Sequence, residues 1–390
     1  MDLPYDSNNI GYLNNRGISE IPDLSMYPNL KGLYICGNKI SSLKGCPETL
    51  EVLNVGDNQL ESLEFCPKGL KVLYIYNNLL KSLEGLPKTL RKLHCYNNQI
   101  TTWKDIPSSL EELDISGNLI SNFEDAPIGL KILHISHNKL KSLENCPSVS
   151  ELSVSYNQLT TLYGIPNTVD NLDCSKNFNL SSLKFCPDSV KSLTCCNLGL
   201  IDLKYCPKSV TDLDVSNNEL TSLEGCPPTL KLINCVGNEL MSLKGLPEGV
   251  EIVYCRFNKI KTLRGLPSSV KHVLASGNLI ESLIGCPSTT SMIDVHNNML
   301  LSLVGCPVNV SVPIFYDNFI ESYWFQLTPE ERRSKLSIEN FRLGIYKVNN
   351  VLKYHWAKKY AKRLADKWLI PNSKGISKYS RWASRIETNI

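Results

Sequence analysis

The sequence predicts an α/β solenoid, in which short coils stack, each coil adds one strand to a parallel sheet, and a helical segment follows. Three observations predict the coils. A unit of twenty residues, LxxLxVxxNxLxSLxGCPxx, repeats along residues 29–325, an asparagine marks one place in fourteen copies, and a proline marks another place in fourteen copies. One unit cannot bury its own apolar side chains, but stacked copies share a continuous core. The repeat therefore decides the fold class.

The first half of the unit predicts a strand. Its apolar residues, such as Leu33 and Ile35, alternate with residues that point away from the core, which is the period of a short strand. The asparagine follows where the chain must turn, and its amide can bond backbone groups of its own coil and of the next. Leu60 and Leu63 then fill the core. The Gly-Cys-Pro that follows disfavours a helix and predicts an extended return.

Both ends of the stack depart from the unit. About fifteen copies lie within residues 29–325, and strands about 4.8 Å apart would make an arc of about 70 Å. Pro313 replaces the strand aliphatic of the last copy, and because proline has no N–H to donate, we expect this strand at the edge of the sheet. Residues 1–28 are predicted to form the N-terminal cap, with a degenerate copy at Leu13, Ile18, Ile21 and Leu24.

Residues 326–370 predict a basic helical segment and residues 371–390 a polar, basic tail. Thr328 to Glu331 supplies the cap, proline and acids of a helix start, and apolar residues recur from Phe341 to Trp368 at steps of three and four. Residues 320–390 carry 15 Lys and Arg against 6 Asp and Glu, whereas residues 1–319 carry 26 against 32. The segment either caps the last repeat or binds an acidic partner, nucleic acid or an anionic membrane surface. Its candidate basic residues are Lys353, Lys358, Lys359, Lys362, Arg363 and Lys367.

The fifteen cysteines follow the repeat. Eight precede a proline, five replace a strand aliphatic, and only Cys36 and Cys196 lie outside both positions. Cysteine in place of Leu, Ile and Val behaves as a small hydrophobe, so we expect free thiols and a reducing compartment. The N-terminus lacks the basic start and apolar run of a secretory signal, and no long apolar stretch follows, which predicts an intracellular, cytoplasmic protein.

This repeat resembles that of the leucine-rich-repeat family. Its twenty-residue length, with proline before LxxLxV, is similar to the short class in enterobacterial type III effectors, and the Cys-Pro variant with a basic tail also resembles repeat proteins of large DNA viruses. The resemblance implies a horseshoe with a concave parallel sheet and an irregular, extended convex side. It also implies that protein partners bind the concave face. For a viral protein it implies the host cytoplasm or the virion.

Outward strand residues and their neighbours on the concave face are the candidate protein-binding site. Tyr and His are frequent there, and both combine apolar contact area with a polar tip. The alternative is that exposed strand positions favour aromatic residues for cross-strand packing alone. Acids at Asp173, Asp212 and Asp214 lie between two patches and argue against nucleic acid on this face. The candidates are Tyr34, Tyr74, Tyr76, His94, Tyr96, His134, His137, Tyr156, Tyr254, Arg256, Phe257, His296 and Tyr316.

A metal site at His94, Asp114 and His134 is a further hypothesis. One column places them on three adjacent strands, and both ligand types suit zinc, although a ladder of polar residues on a wet sheet gives the same pattern. We expect no resident metal, no cofactor and no enzymatic activity. The sequence shows no phosphate-cradling loop and no serine-nucleophile elbow. Some bacterial relatives append a ubiquitin-ligase domain with a nucleophilic cysteine, but here no cysteine follows Cys306.

Three functions stay open at this point. The first is a non-catalytic protein-binding scaffold, such as a viral or pathogen factor in host–pathogen interaction. The second is a structural component of a virus particle or other assembly. The third is an adaptor that binds nucleic acid or an anionic membrane through the basic C-terminal helix. Neither the partner nor the oligomeric state follows from the sequence.

Overall fold

The computed structural model describes residues 6–301, 303–307, 309–310, 314–315 and 317–318. The chain divides into two units, Met1–Tyr323 and Trp324–Ile390. The second unit lies outside the described residues, and with it lie the predicted basic helix and the polar tail. Pro313 and Tyr316 also lie outside the described residues. Within the described part the chain forms strands and turns and no helix.

Fifteen strands of three residues each form one parallel sheet, and their order in the sheet is their order in the chain. Each coil of the repeat thus adds one strand beside the last, as the sequence predicts. An isolated bridge between Asp294 and Ile314 continues the pairing beyond the fifteenth strand. The strands are β1 Ile10–Tyr12, β2 Gly32–Tyr34, β3 Val52–Asn54, β4 Val72–Tyr74, β5 Lys92–His94, β6 Glu112–Asp114, β7 Ile132–His134, β8 Glu151–Ser153, β9 Asn171–Asp173, β10 Ser192–Thr194, β11 Asp212–Asp214, β12 Leu232–Asn234, β13 Ile252–Tyr254, β14 His272–Leu274 and β15 Met292–Asp294.

The register is the same at every step, so equivalent residues of neighbouring copies lie side by side. Leu53 of β3 pairs with Leu73 of β4, and Asn54 pairs with Tyr74. The middle residue of every strand is buried, whereas nearly all of its flanking residues are partly exposed. The curvature predicted for the sheet stays a prediction.

Leucine, isoleucine, valine and cysteine at the repeated apolar positions form one continuous core along the stack. Leu53, Val55, Leu60 and Leu63 of one copy are at most 1% exposed. Burying a side chain of this size contributes roughly 1.5–3 kcal/mol, so the stability comes from the repeated columns and not from any single residue. The five cysteines that replace strand aliphatics are fully buried in this core, as the small-hydrophobe interpretation expects: Cys95, Cys174, Cys195, Cys235 and Cys255.

The buried asparagines form the predicted ladder. Asn58 Nδ2 donates to the carbonyl oxygens of Val55 and Gly56 in its own coil and of Ile35 in the preceding coil, at 2.9–3.1 Å. Its Oδ1 accepts a hydrogen bond from the amide of Ile40 at 2.9 Å. The side chain thus satisfies backbone groups that a sharp turn would otherwise leave unpaired in the interior.

Candidate functional site

The sheet face is defined here as the two outward residues of each strand and the residue two places after the strand, for example Val52, Asn54 and Gly56. The pleat turns these residues away from the core, and the constant register aligns them into three columns along the stack. The candidates predicted from the sequence lie in the second and third columns, except His137, Tyr156 and Phe257, which lie one place after the third. Lys92 and Glu112 of the first column were missed because the residue types in that column are mixed.

The tyrosine patch comprises Tyr34, Tyr74, Tyr76, His94 and Tyr96, all predicted site residues. Tyr76 and Tyr96 stack with ring centroids 4.7 Å apart and planes 4° apart. Tyr74 meets His94 edge-on at 5.1 Å. Tyr34 stacks on Tyr12, which was not predicted, at 5.4 Å. The rings therefore contact one another across neighbouring strands, and offset and edge-on contacts of this kind stabilise their placement.

Gly56 allows the Tyr76 ring to lie flat on the sheet. A Cβ at this position would lie 2.4 Å from Cζ of Tyr76, so any other residue would displace the ring from this position. Burial raises the pKa of the Tyr76 hydroxyl, although a hydrogen bond with Asn54 lowers it in part. The pKa of Tyr96 is raised by burial and by the neighbouring Tyr76. Both phenols are neutral at physiological pH.

A charged group borders the tyrosine patch. Glu112 Oε1 lies 2.7 Å from Lys92 Nζ and 2.9 Å from His94 Nε2. Burial alone would raise the pKa of Glu112, but hydrogen bonds from Lys92 and His94 hold it below its ordinary value. The hydrogen bond to Glu112 also raises the pKa of Lys92. His94 is therefore held by a carboxylate as well as by the Tyr74 ring.

His134, His137 and Tyr156 lie in the middle of the sheet. The His134 Nε2 atom lies 3.0 Å from Glu151 Oε1. His137 and Tyr156 stack with centroids 3.8 Å apart. Lys176, which the sequence reasoning missed, lies over the Tyr156 ring at 4.3 Å and donates to its hydroxyl. The only signal for Lys176 is its place in the repeat, one copy after Tyr156.

The predicted residues of the second patch are partly engaged with one another. Arg256 reaches across two strands, and its Nη2 lies 2.9 Å from Oδ2 of the buried Asp294. The other carboxylate oxygen of Asp294 lies 2.6 Å from Nδ1 of His296. Phe257 covers Gly277, where a Cβ would lie 2.7 Å from the ring. Tyr254 is the last residue of β13, beside Leu274 of β14.

The structure does not bring His94, Asp114 and His134 together as metal ligands. The two histidines face Glu112 and Glu151, and Asp114 Oδ1 accepts a hydrogen bond from the backbone amide of Ser116 at 3.0 Å. In the part of the chain that the structure describes, no group of three or more His, Cys, Asp or Glu side chains could hold a metal ion. Each imidazole instead contacts a glutamate carboxylate on the adjacent strand.

A column of charged residues, missed by the sequence reasoning, borders the sheet face just before each strand from β2 to β7. Glu51 lies between Lys31 and Lys71, with Nζ–Oε distances of 3.2 and 2.5 Å. Glu111 lies between Arg91 and Lys131 in the same way, at 2.9 and 2.6 Å. Charged residues at steps of twenty, with each glutamate between two basic residues, were the available signal. Exposed pairs of this kind contribute little stability, at most about 1 kcal/mol each.

The coils, their constant register and the asparagine ladder are similar to those of leucine-rich-repeat proteins. A family model described as leucine-rich repeats (2 copies) matches residues 48–88. No curated protein sequence matches the chain. No helix that could cross a membrane occurs among the residues described.

Solved structures with the same fold include two YopM proteins. YopM from Yersinia enterocolitica WA-314 is 28% identical with a TM-score of 0.57, over 80% of this chain and 78% of its own. YopM from Yersinia pestis, a leucine-rich effector protein, is 25% identical with a TM-score of 0.59, over 79% and 88%. A leucine-rich-repeat protein of Leptospira interrogans, 18% identical with a TM-score of 0.54 over 83% and 92%, shows the fold alone. The predicted resemblance to bacterial effector repeats is confirmed, whereas the viral resemblance stays a prediction.

Proposed function

We propose that the chain binds a protein partner through its sheet face and catalyses no reaction of its own. Leucine-rich repeats form a scaffold typical of protein–protein interaction, and similarity to the YopM effector supports a role in host–pathogen contact. The observation that carries the proposal is the tyrosine patch, whose rings are already held against one another and against the sheet.

Tyrosine suits an interface because it buries a large area and leaves a hydroxyl for hydrogen bonding. Rings that are fixed before binding lose little further conformational entropy, so more of the contact energy appears as affinity. The adjacent Lys92 and Glu112 add charges of both signs, which favour one orientation of the partner. Together these features match the centre of a binding surface.

Affinity capture on the immobilised full chain, followed by mass spectrometry and a direct measurement of Kd, tests the proposal. The triple variant Tyr74→Ala/Tyr76→Ala/Tyr96→Ala should weaken binding of the captured partner by about thirtyfold or more, about 2 kcal/mol. A matched triple variant in the same columns, Thr194→Ala/Val236→Ala/Leu274→Ala, should bind as the unaltered chain does. Equal binding by both variants would place the interface elsewhere.

The basic residues from Lys353 to Lys367 lie outside the described residues, so an adaptor function through them stays a prediction. Retention of the full chain on nucleic acid or anionic lipid would have to fall with added salt to support it. A building block of a particle would instead co-purify with assembled particles. In the described part of the chain, the tyrosine patch favours a protein-binding scaffold over an adaptor and over a particle building block.

A further inference from the structure

A second exposed aromatic cluster lies on the side of the coils away from the sheet. It is called the back patch and comprises Tyr163, Phe185 and Tyr205 with Lys184 and Lys204. The turn at residues 184–185 lies between β9 and β10 and directly follows the core residue Leu183, so the core separates it from the sheet. Tyr163, Phe185 and Tyr205 are 56%, 52% and 45% exposed, which is unusual for three large rings in consecutive coils.

The backbone at this turn disfavours the ring that it carries. Phe185 has a φ of 73°, in the left-handed region that favours glycine. Equivalent turns in other coils carry glycine with positive φ, for example Gly85, Gly225 and Gly245. Phe185 therefore adopts a strained backbone conformation, and because half of its side chain is exposed, burial does not offset that strain. Strain of this kind is a reason to look for a function of the side chain.

Two ammonium groups lie on the rings of the back patch. The Nζ of Lys184 is 4.9 Å from the centroid of Phe185, and the Nζ of Lys204 is 5.2 Å from that of Tyr205. Tyr163 meets Phe185 edge-on at 5.6 Å. Among the described residues neither lysine forms an ion pair, unlike Lys71 or Lys131 on the charged column. Their charge is therefore available to a partner.

Nearby carboxylates do not neutralise these lysines. Asp202 Oδ1 accepts a hydrogen bond from the backbone amide of Lys204 at 3.0 Å, and Asp188 Oδ1 accepts one from that of Lys208 at 3.1 Å. The ammonium groups remain over the rings, where the cation–π attraction is modest in water and strengthens when a partner excludes solvent. A surface that combines exposed rings and cations fits a ligand with apolar groups and anions.

We propose that the back patch is a second protein-docking site, which takes an acidic peptide segment carrying an aromatic or aliphatic side chain. Carboxylates of the segment meet Lys184 and Lys204, and its apolar side chain packs on Phe185. A nucleic acid fits less well, because residues 1–319 carry more acids than bases, 32 against 26, and would repel a long polyanion. The site is independent of the sheet face and would exist without a partner there.

Selection of random displayed peptides on the full chain, with counter-selection on a Phe185→Gly variant, tests this site. We expect the surviving peptides to be enriched in Asp and Glu and to share an aromatic or aliphatic residue. In fluorescence anisotropy a synthetic survivor should bind Phe185→Gly and Lys184→Glu/Lys204→Glu at least about tenfold more weakly than the unaltered chain.

The matched control is Phe65→Gly. Phe65 occupies the equivalent turn, with a φ of 64° and 50% exposure, but Glu64 precedes it in place of a lysine. This variant should bind the peptide as the unaltered chain does. Since glycine is favoured at both turns, both variants should melt no lower than the unaltered chain, so lost binding reports the patch and not unfolding.

Four results would overturn the back-patch proposal. One is a selection that yields no peptides specific to the unaltered chain, and another is a set of survivors without an excess of acids. A third is affinity that is unchanged by Lys184→Glu/Lys204→Glu. The last is stronger Phe185-dependent binding of oligothymidylate or of phosphatidylserine vesicles than of the peptide, which would assign the patch to nucleic acid or membrane.

Discussion

Each asparagine of the repeated column joins two coils through one side chain. Asn98 Nδ2 donates to the carbonyl oxygens of Cys95 and Ile75, both at 3.0 Å, and Oδ1 accepts from the amide of Leu80 at 3.0 Å. All of these groups are buried, so water cannot replace the asparagine when it is removed. An unpaired buried donor or acceptor costs about 1–3 kcal/mol.

Replacing Asn98 by leucine should therefore lower the free energy of unfolding by about 2–4 kcal/mol. The measurement is urea unfolding followed by circular dichroism, compared by midpoint because a stack of repeats need not unfold in one step. The neighbouring exposed residue supplies the control, and Gln99→Ala should change stability by less than about 0.5 kcal/mol. Equal midpoints for the two variants would contradict the role given to the ladder.

The natural exception, Leu198, shows how one copy dispenses with its asparagine. The preceding coil carries one extra residue, Phe178, and there the amide of Leu180 donates to the backbone oxygen of Asn177 at 2.8 Å. That amide would otherwise need an asparagine oxygen from the next coil. Asn218 Oδ1 accepts from the amides of both Leu198 and Leu200, at 3.0 and 3.1 Å. The insertion and the missing asparagine thus compensate for one another.

The turns between strands are elements that pack closely, since a turn lies against the backbone of the preceding coil. Gly164 has a φ of 99°, and a Cβ there would lie 2.5 Å from the backbone oxygen of Leu143. Gly199 has a φ of 71°, but a Cβ would meet nothing within 4 Å. Gly199 is therefore required only by its backbone conformation, whereas Gly164 is required by its conformation and by lack of space.

Alanine at Gly199 should cost only the strain of a positive φ, about 1 kcal/mol, whereas alanine at Gly164 should cost about 3 kcal/mol, since backbone must also move. Thermal unfolding of the two single variants and the unaltered chain measures the difference. Were Gly199→Ala as damaging as Gly164→Ala, the close approach of the coils would contribute nothing, and conformation alone would explain the glycines.

Sequence reasoning predicted the elements well because the repeat fixes them. A period of twenty placed Leu53 and Val55 inside, aligned the strands in one register and assigned the asparagines their bonds. The candidate site was predicted less completely. The direction of a side chain depends on its neighbours, which the spacing of a repeat does not reveal. Spacing therefore could not predict that the Tyr76 ring lies over Gly56 or that His94 contacts Glu112. Spacing alone also made a metal at His94 and His134 look feasible.

At the scale of the whole molecule, the core is unusually rich in thiols. Burial raises the pKa of the thiols of Cys46, Cys146 and Cys226 from the ordinary 9.0 to about 12. Burial also raises the pKa of Cys95 and Cys235, which replace strand aliphatics, well above 9.0. A thiolate is the nucleophile in thiol chemistry, so these groups are unreactive in the native state below that range.

The same shifts make the fold sensitive to alkali. A thiol whose pKa is higher in the folded state than in the unfolded chain keeps its proton on folding, so its stabilising contribution is complete below pH 9.0 and is lost as pH rises toward about 12. Within that pH range each such thiol lowers the free energy of unfolding by about 1.4 kcal/mol per pH unit. Because many coils carry one, we expect the urea midpoint to fall steeply above pH 9.0.

Valine is the matched replacement, since Val55, Val215 and Val295 occupy the same strand position as the five strand cysteines. A variant with valine at those five positions should have a midpoint near that of the unaltered chain at neutral pH and a clearly shallower fall at alkaline pH. Identical alkaline slopes for the two proteins would show that these five thiols do not govern the loss of stability. The variant loci are Cys95, Cys174, Cys195, Cys235 and Cys255.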